Sequence, residues 1–125
     1  MASAVNWFEI PASDIERACK FYSAIFDIQL EVVEMPTFKM AMFPADMQQG
    51  EVGGAISQGE DLVPGATGTL VYLNAQPDLQ AVLDRVEVAG GKIVRPMTRV
   101  QMEDSGYYAV ITDSEGNRVG LHSMA

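Results

Sequence analysis

The chain of 125 residues is 48% hydrophobic and 20% charged, a composition typical of one globular domain without disordered segments. Its net charge of −9, from 17 acidic and 8 basic residues, argues against nucleic acid or an anionic membrane as partner and favours a neutral or cationic ligand. The N-terminus has no signal-peptide pattern, no apolar run is long enough to span a membrane, and the lone Cys19 cannot form an internal disulfide. We therefore expect a cytoplasmic protein.

The first predicted element is a short strand at residues 7–10, and its side chains alternate between two faces. Phe8 and Ile10 share one face, while Trp7 and Glu9 share the other. Pro11 ends the strand because it has no N–H to donate to a neighbouring strand. The Trp7/Glu9 face therefore points away from whatever covers Phe8 and Ile10.

An amphipathic helix follows the strand. Ser13 and Glu16 have the spacing of a capping box, and Asp14 places negative charge at the positive end of the helix dipole. Apolar residues then recur at intervals of three and four, at Ile15, Ala18, Phe21, Tyr22, Ile25 and Phe26. The helix is predicted to cover the Phe8/Ile10 face of its own strand.

The rest of the first half is read as three strands followed by a linker. The strands are predicted at residues 28–33, 38–43 and 52–56. A segment at 58–68, with three glycines and one proline, is the best candidate for a linker. Module one is thus predicted at about 4–57 and module two at about 69–124, both within a single domain of residues 1–125.

The second half repeats the same order of elements. A strand at 69–73 precedes a helix that begins near Pro77 and Asp78 and ends before Gly90, and further strands are predicted at 92–94, 107–112 and 118–122. An internal repeat of this kind predicts an α+β fold of two paired βαβββ modules rather than a doubly wound sheet. Each sheet is expected to carry its helix on the convex side, so that the concave sheet encloses a cleft.

The repeat, the opening WFEIPASDIERACKFYSAIF and the closing DSEGNRVGLHS resemble the vicinal oxygen chelate superfamily. Its members include glyoxalase I, bleomycin-resistance proteins, extradiol dioxygenases and small glyoxalase-like proteins. The resemblance covers nearly the whole chain and implies the paired βαβββ fold. It is specific for fold rather than for activity, because the superfamily contains unrelated chemistries.

The resemblance also implies where a metal ion would be held. In metal-dependent members four side chains from the cavity-facing strands bind a divalent ion, and the matching positions here are Trp7, Gly54 or Ala55, Gly68 or Thr69, and Gly120. An indole has no acceptor nitrogen and glycine has no side chain, so these positions are poor metal ligands. We expect no cofactor, with a divalent zinc, nickel or iron ion as the weaker alternative.

Two side chains remain candidates for chemistry. Glu9 shares a face with Trp7, and a carboxylate beside an indole in a partly apolar cavity suits a general base; the alternative is a carboxylate at the rim or paired with an arginine. His122, the only histidine, lies two residues beyond Gly120 and suits a proton shuttle, a metal ligand or a partner of Glu9, although a lone histidine near a C-terminus is more often solvated. The predicted ligand-binding residues are Trp7, Glu9, Met40, Thr69, Gly120 and His122.

Three functions agree with these residues. The first is a glyoxalase-like protein that binds a small molecule in its cleft without the metal of the family. The second is a lyase or isomerase that depends on a metal or on acid–base chemistry at Glu9 and His122. The third is a drug-sequestering protein of the bleomycin-resistance kind, whose acidic cleft attracts a cationic drug. The resemblance further implies a homodimer in which the cleft is often completed across the interface.

Overall fold

The computed structural model describes residues 3–125, which form two modules of the same construction. Module one contains β1 (Trp7–Pro11), α1 (Ile15–Phe26), β2 (Val32–Glu34), β3 (Phe38–Met42) and β4 (Gly53–Gly59), with a short 3-10 turn at Met47–Gln49. Module two contains β5 (Tyr72–Asn74), α2 (Leu79–Val86), β6 (Lys92–Arg99), β7 (Tyr107–Thr112) and β8 (Arg118–Ser123). Neither helix has the length and apolar character needed to cross a bilayer, within the described residues.

Each module folds its strands into one four-stranded sheet. The strand orders are β1-β4-β3-β2 and β5-β8-β7-β6, which we call sheet one and sheet two. The β1–β4 and β5–β8 pairs are parallel, and the other pairs are antiparallel. The predicted α+β fold of two βαβββ modules is therefore confirmed.

Backbone hydrogen bonds align the two modules residue by residue. The N–H of Ala12 donates to the carbonyl of Ser57 at 2.8 Å, and the N–H of Ala75 donates to the carbonyl of His122 at 2.8 Å. Ser57 and His122 are thus equivalent positions. Counting back along β1 and β5 from these points makes Glu9 equivalent to Tyr72, and Trp7 equivalent to Leu70.

Helix α1 begins at a cap that differs from the predicted one. Asp14, not Ser13, is the N-cap: its backbone is extended and its carboxylate accepts the N–H of Arg17 at 3.2 Å. The N–H groups of Ser13 and Asp14 both donate to the carboxylate of Glu115 at 2.9 Å. A carboxylate from module two therefore satisfies the part of the cap that was assigned to the Ser13–Glu16 box.

The predicted apolar stripes of both helices are buried, except for Phe26, which is half-buried. On α1 the buried residues are Ile15, Ala18, Cys19, Phe21, Tyr22 and Ile25, and on α2 they are Leu79, Val82, Leu83 and Val86. Asp78 caps α2 by accepting the N–H of Ala81 at 3.3 Å. After α2 the chain passes close to α1, since a Cβ at Gly91 would lie 2.8 Å from the Phe21 ring and only a glycine fits there.

Four strands differ clearly from their predicted bounds. Strand β4 continues to Gly59 rather than ending at residue 56, so it enters the segment that was predicted as a linker. Strand β2 begins at Val32 rather than at residue 28, and β5 begins at Tyr72 rather than at residue 69. Strand β6 continues through Pro96 to Arg99, whereas the sequence predicted an end at residue 94. Because β6 is an edge strand with two register irregularities, it tolerates a proline that a central strand would not.

The two modules are joined by packed helices and by a polar cluster that is buried except at Arg17. Helix α1 contacts α2, and Arg85 of α2 donates to the carbonyl of Ile25 at 2.7 Å. The β7–β8 turn then inserts beside β1 and α1, where the Tyr22 hydroxyl donates to Asp113 at 2.7 Å. Asn117 Nδ2 donates to the Pro11 carbonyl, also at 2.7 Å. We call this cluster (Arg17, Tyr22, Asp113, Glu115 and Asn117) the module clasp.

Burial and charge shift the pKa values of two groups in the module clasp. Burial, with the nearby Asp113, raises the pKa of Tyr22 well above its ordinary value, so the hydroxyl stays a donor. Burial also favours a higher pKa for Glu115, but the hydrogen bonds from Arg17, the Asp14 N–H and Ser114 outweigh it and leave this pKa below its ordinary value. Glu115 is therefore an anion that accepts hydrogen bonds from the Arg17 guanidinium, the Ser114 hydroxyl and two backbone N–H groups at the start of α1.

Candidate functional site

Each sheet has one face covered by its helix and one open face. In sheet one, Phe8 and Ile10 pack toward α1, as the alternation predicted, while Trp7 and Glu9 are exposed on the other side. The strand register extends this open face across the sheet. The residues of the open face of sheet one are Trp7, Glu9, Val33, Met40, Met42, Ala55 and Ser57.

The indole of Trp7 lies across the neighbouring strand at a glycine. A Cβ on Gly53 would lie 3.1 Å from the Trp7 ring and 3.2 Å from the sulfur of Met47. The indole and the thioether thus meet over a position without a side chain. Trp7 is 36% exposed and Met47 is 55% exposed, so this apolar surface is accessible.

The open face of sheet one also contains an unsatisfied hydroxyl, near the other end of β4 from Gly53. Ser57 Oγ is the one buried side-chain polar atom without a hydrogen-bond partner in residues 3–125. The register places Ser57 between Pro11 and Met40 on the open face of sheet one. Leaving such a group unpaired costs about 1–3 kcal/mol, and a ligand or water that reached it would recover part of that cost.

The open face of sheet two has an aromatic pair where sheet one has Glu9 and its neighbours. The ring of Tyr72 covers Gly120 so closely that a Cβ there would overlap it. Tyr72 and Tyr108 are arranged edge to face with centroids 6.2 Å apart. The sequence could not assign the faces of the two adjacent tyrosines of β7: Tyr108 is on the open face, and Tyr107 packs toward the core.

Two polar groups border this aromatic pair. The guanidinium of Arg95 lies 5.9 Å from the centre of the Tyr108 ring. His122 pairs with Tyr108 and Asn74 in the strand register, so it is on the same face, and its Nε2 lies 2.7 Å from the Ser105 carbonyl oxygen. Arg95 was not among the predicted site residues because the sequence ended its strand one residue earlier.

The predicted catalytic pair is divided between the two sheets. Glu9 is exposed on sheet one and His122 is half-buried on sheet two, and no hydrogen bond joins them in the part of the chain that is described. Their catalytic roles stay predictions. Of the other predicted ligand-binding residues, Met40 lies on the open face of sheet one, and Thr69 is exposed ahead of β5.

The side chains at the metal positions do not fit a metal ion. The side chains of Trp7 and Gly120 have no atom that can coordinate a metal ion, and neither Gly54 nor Ala55 on β4 supplies one. For the third position the internal register gives Leu70, one or two residues beyond Thr69 and Gly68, and this is again not a ligand. Within residues 3–125 no group of three or more His, Cys, Asp or Glu is arranged to hold an ion.

Two cavities lie away from the open faces. One, of about 480 Å³, is bordered by the β2–β3 turn, the end of β4 and Ser13. The other, of about 590 Å³, is a groove between α1 and α2 that includes Phe21 and Arg85. Neither includes Trp7, Glu9 or His122, so neither is the predicted cleft.

The comparisons with known proteins agree on one family. A sequence profile of the Glyoxalase/Bleomycin resistance protein/Dioxygenase superfamily matches residues 4–121. A glyoxylase-like domain-containing protein of Didymella fabae is 36% identical over 93 residues, which cover 70% of this chain and 69% of that protein. A putative glyoxylase, CFP32, of Mycobacterium tuberculosis is 30% identical over 93% of this chain, but the match spans only 44% of its own length.

A solved structure supports the same fold. The glyoxalase/bleomycin resistance protein from Albidiferax ferrireducens superposes with a TM-score of 0.65 and 20% identity, covering 95% of this chain and 97% of that one. At this identity the similarity concerns the fold and not the ligand.

Proposed function

The chain belongs to the glyoxalase/bleomycin resistance protein/dioxygenase superfamily, and we propose that it binds a small organic molecule on the open faces of its sheets without the family's metal ion. The observation that carries this proposal is that the side chains at the family's metal positions cannot coordinate an ion. Trp7 is a bulky apolar ring, and Gly120 is covered by the ring of Tyr72. A surface rich in aromatic rings and thioethers suits contact with an organic ligand better than coordination of an ion.

The apolar part of the ligand is proposed to rest on sheet one. Trp7, Met42 and Met47 are large apolar side chains that are 36%, 51% and 55% exposed, and an accessible apolar surface of this kind suits contact with an organic ligand. The unpaired hydroxyl of Ser57 belongs to the same face but is fully buried, so it would supply one directional contact once the side chains above it moved aside. Binding would thus combine a broad apolar contact with a single polar one.

A second copy of the chain is proposed to complete the site. Met42 is 51% exposed and Tyr72 is 48% exposed, so the open faces are not covered within the described part of one chain. Ligand sites normally bury most of their ligand, which an uncovered sheet face does not. A homodimer in which each open face is covered by the partner would enclose the ligand.

The test uses Trp7, the only tryptophan of the chain, as a reporter. Titrating purified protein with a panel of small aromatic acids, amides and amines should change the Trp7 fluorescence and raise the melting temperature for at least one class, because binding to the native state alone stabilises it. Elemental analysis of the same sample should find no stoichiometric zinc, nickel or iron. A stoichiometric metal, or fluorescence that no compound alters, would contradict the proposal.

Two glycine substitutions provide matched variants. Gly53→Val places atoms against the Trp7 ring and should displace the indole and weaken binding. Gly65→Val adds the same side chain where nothing lies within 4 Å, so it should leave the Trp7 fluorescence and the binding unchanged. Equal effects of the two variants would remove Trp7 from the site.

A further inference from the structure

Charge is distributed unevenly between the sheets. The strands of sheet two contain no aspartate or glutamate, although the chain has 17 acidic residues against 8 basic ones. They do contain Lys92, Arg95, Arg99 and Arg118. The acidic residues of module two lie in or beside α2 and in the turns. A net charge of −9 therefore does not describe this surface, and the acidic cleft predicted from it is not found on sheet two.

Three of these four cations share the open face. Lys92 and Arg118 both pair with Thr112, which is on the same side of β7 as Val110 and Tyr108. Arg95 is on this side as well, since it pairs with Val110 and its guanidinium lies 5.9 Å from the centre of the Tyr108 ring. Arg99 instead pairs with Tyr107, on the opposite side.

Arg95 has no carboxylate partner in the described residues. The ion pairs found there join Arg17 to Glu115 and Lys39 to Glu34. Arg95 is exposed, and its one aromatic contact leaves its N–H donors available. A planar guanidinium held against a tyrosine ring is ready to bind a carboxylate or phosphate with two parallel hydrogen bonds.

The rings beside Arg95 indicate which kind of group would carry the anionic part of a ligand. Tyr72 and Tyr108 lie edge to face beside Arg95 and offer exposed ring surface. A ligand whose acidic group met Arg95 would bring its adjacent atoms onto these rings, and a planar group fits there best. A nucleic acid is a poor fit, because the rest of this acidic chain repels a polyanion.

Resting on the proposed function, we propose that the ligand of this site is an aromatic or otherwise planar organic acid, whose anionic group binds Arg95 and whose planar part contacts Tyr72 and Tyr108. This assigns a specificity-determining role to Arg95 and replaces the cationic ligand that the net charge favoured.

The experiment compares probes of one shape and different charge. Binding of 2-naphthoate, 2-naphthyl phosphate, 2-naphthamide and 2-naphthylmethylamine to the full-length protein is measured by calorimetry. The two anions should bind at least about tenfold more tightly than the amide, the value expected for a charge-assisted hydrogen bond, and the amine should bind most weakly. The ratio of naphthoate to naphthyl phosphate distinguishes a carboxylate from a phosphate ligand.

Variants of Arg95 and Arg99, the two arginines of β6, test whether the preference for anions depends on Arg95. Arg95→Gln should reduce naphthoate binding about tenfold, to the level of the amide, while Arg95→Lys should retain part of it because charge remains but the planar fork is lost. Arg99→Gln is the matched control on the other side of the same strand and should bind like the wild type. Size-exclusion chromatography of each variant shows whether Arg95 instead pairs with a second copy of the chain.

Three results would overturn the inference. If Arg95→Gln binds naphthoate as the wild type does, or if the amine binds best, the anion site is wrong while the proposed function stands. If Arg95→Gln changes only the oligomeric state, Arg95 is an interface residue and not a ligand contact. If no probe of any charge binds, the proposed function fails and the inference fails with it.

Discussion

The two sheets of this protein share one backbone plan and differ in the chemistry of their open faces. Glu9 on sheet one corresponds to Tyr72 on sheet two, and Ser57 corresponds to His122. Both sheets place an aromatic ring over a glycine, but at positions that are not equivalent: Trp7 covers Gly53, while Tyr72 covers Gly120. The internal repeat thus determines which face of the sheet a side chain occupies, but equivalent positions carry residues of different chemistry. The open face of sheet one combines apolar side chains with the exposed carboxylate of Glu9, and the open face of sheet two is aromatic and cationic.

The connections between strands differ as much as the faces do. The β3–β4 connection of module one, at residues 43–52, is largely exposed, with a short 3-10 turn. The equivalent β7–β8 turn of module two is compact and carries Asp113, Glu115 and Asn117 of the module clasp. The β3–β4 connection is therefore predicted to tolerate substitution, whereas substitutions in the β7–β8 turn are predicted to lower the stability of the fold.

Asp113→Ala should have the largest effect. The buried Asp113 carboxylate accepts hydrogen bonds from the Tyr22 hydroxyl, from the backbone N–H groups of Glu115 and Asn117, and from Asn117 Nδ2. Its removal leaves these donors unpaired. We expect the free energy of unfolding to fall by about 3 kcal/mol, as measured by urea denaturation. Asp46→Ala, in the exposed connection of module one, should change it by less than about 0.5 kcal/mol. Similar losses in both variants would mean that the connections do not differ.

Gly120→Val should rank second, and its loss of stability is compared with that of Gly53→Val, because both glycines lie under an aromatic ring on an open face. The new side chain would overlap the Tyr72 ring on a central strand, and overpacking of this kind costs about 1–3 kcal/mol. Gly53→Val should cost less, because its Cβ meets the Trp7 ring and a flexible thioether without overlapping them. Thermal denaturation of the two variants checks the order, and a greater loss at Gly53 would contradict it.

Glu115→Gln should give a loss that depends on pH. The pKa of Glu115 is lowered in the folded state, so its contribution to stability is complete above the pKa of the unfolded chain and is lost as the pH falls through the lower folded value. At pH 7 the variant should be less stable, since it loses the charge that the hydrogen bonds from Arg17 and from the N–H groups of Ser13 and Asp14 stabilise. The difference should shrink in acid. A difference that stayed constant down to pH 3 would show that the charge does not matter.

Ser57→Ala should have the smallest effect, and of opposite sign. Ser57 Oγ is buried without a partner in the described residues, so removing it relieves a desolvation cost. We expect a gain of about 0–1 kcal/mol in the absence of ligand, measured by urea denaturation. A marked loss would mean that the hydroxyl has a partner in solution, such as a bound water. His122→Ala, at the equivalent position, should instead lose the contact with Ser105.

Local patterns in the sequence predicted a large part of this structure. The period of two in β1 correctly divided Trp7 and Glu9 from Phe8 and Ile10, and the period of three and four identified both helices. Strand β7 was predicted at its observed bounds, Tyr107–Thr112. These features depend on neighbours in sequence, which is why a single chain reveals them.

Features that depend on distant residues could not be predicted. The wrong N-cap at Ser13 arose because the donors of the first turn bind Glu115, about a hundred residues away. Arg95 was missed because Pro96 signals the end of a strand, and only the edge position of β6 explains its continuation. The net charge of the chain likewise gave no indication that sheet two is cationic.

The clasp has a consequence for how the molecule can be divided. Glu115 holds the first turn of α1 in the way that a bound anion holds other helix N-termini. Each half of the polypeptide thus provides a part that the other half needs for folding. We expect that cutting the chain between residues 60 and 71 yields two fragments that are poorly folded alone and reconstitute the native molecule when mixed.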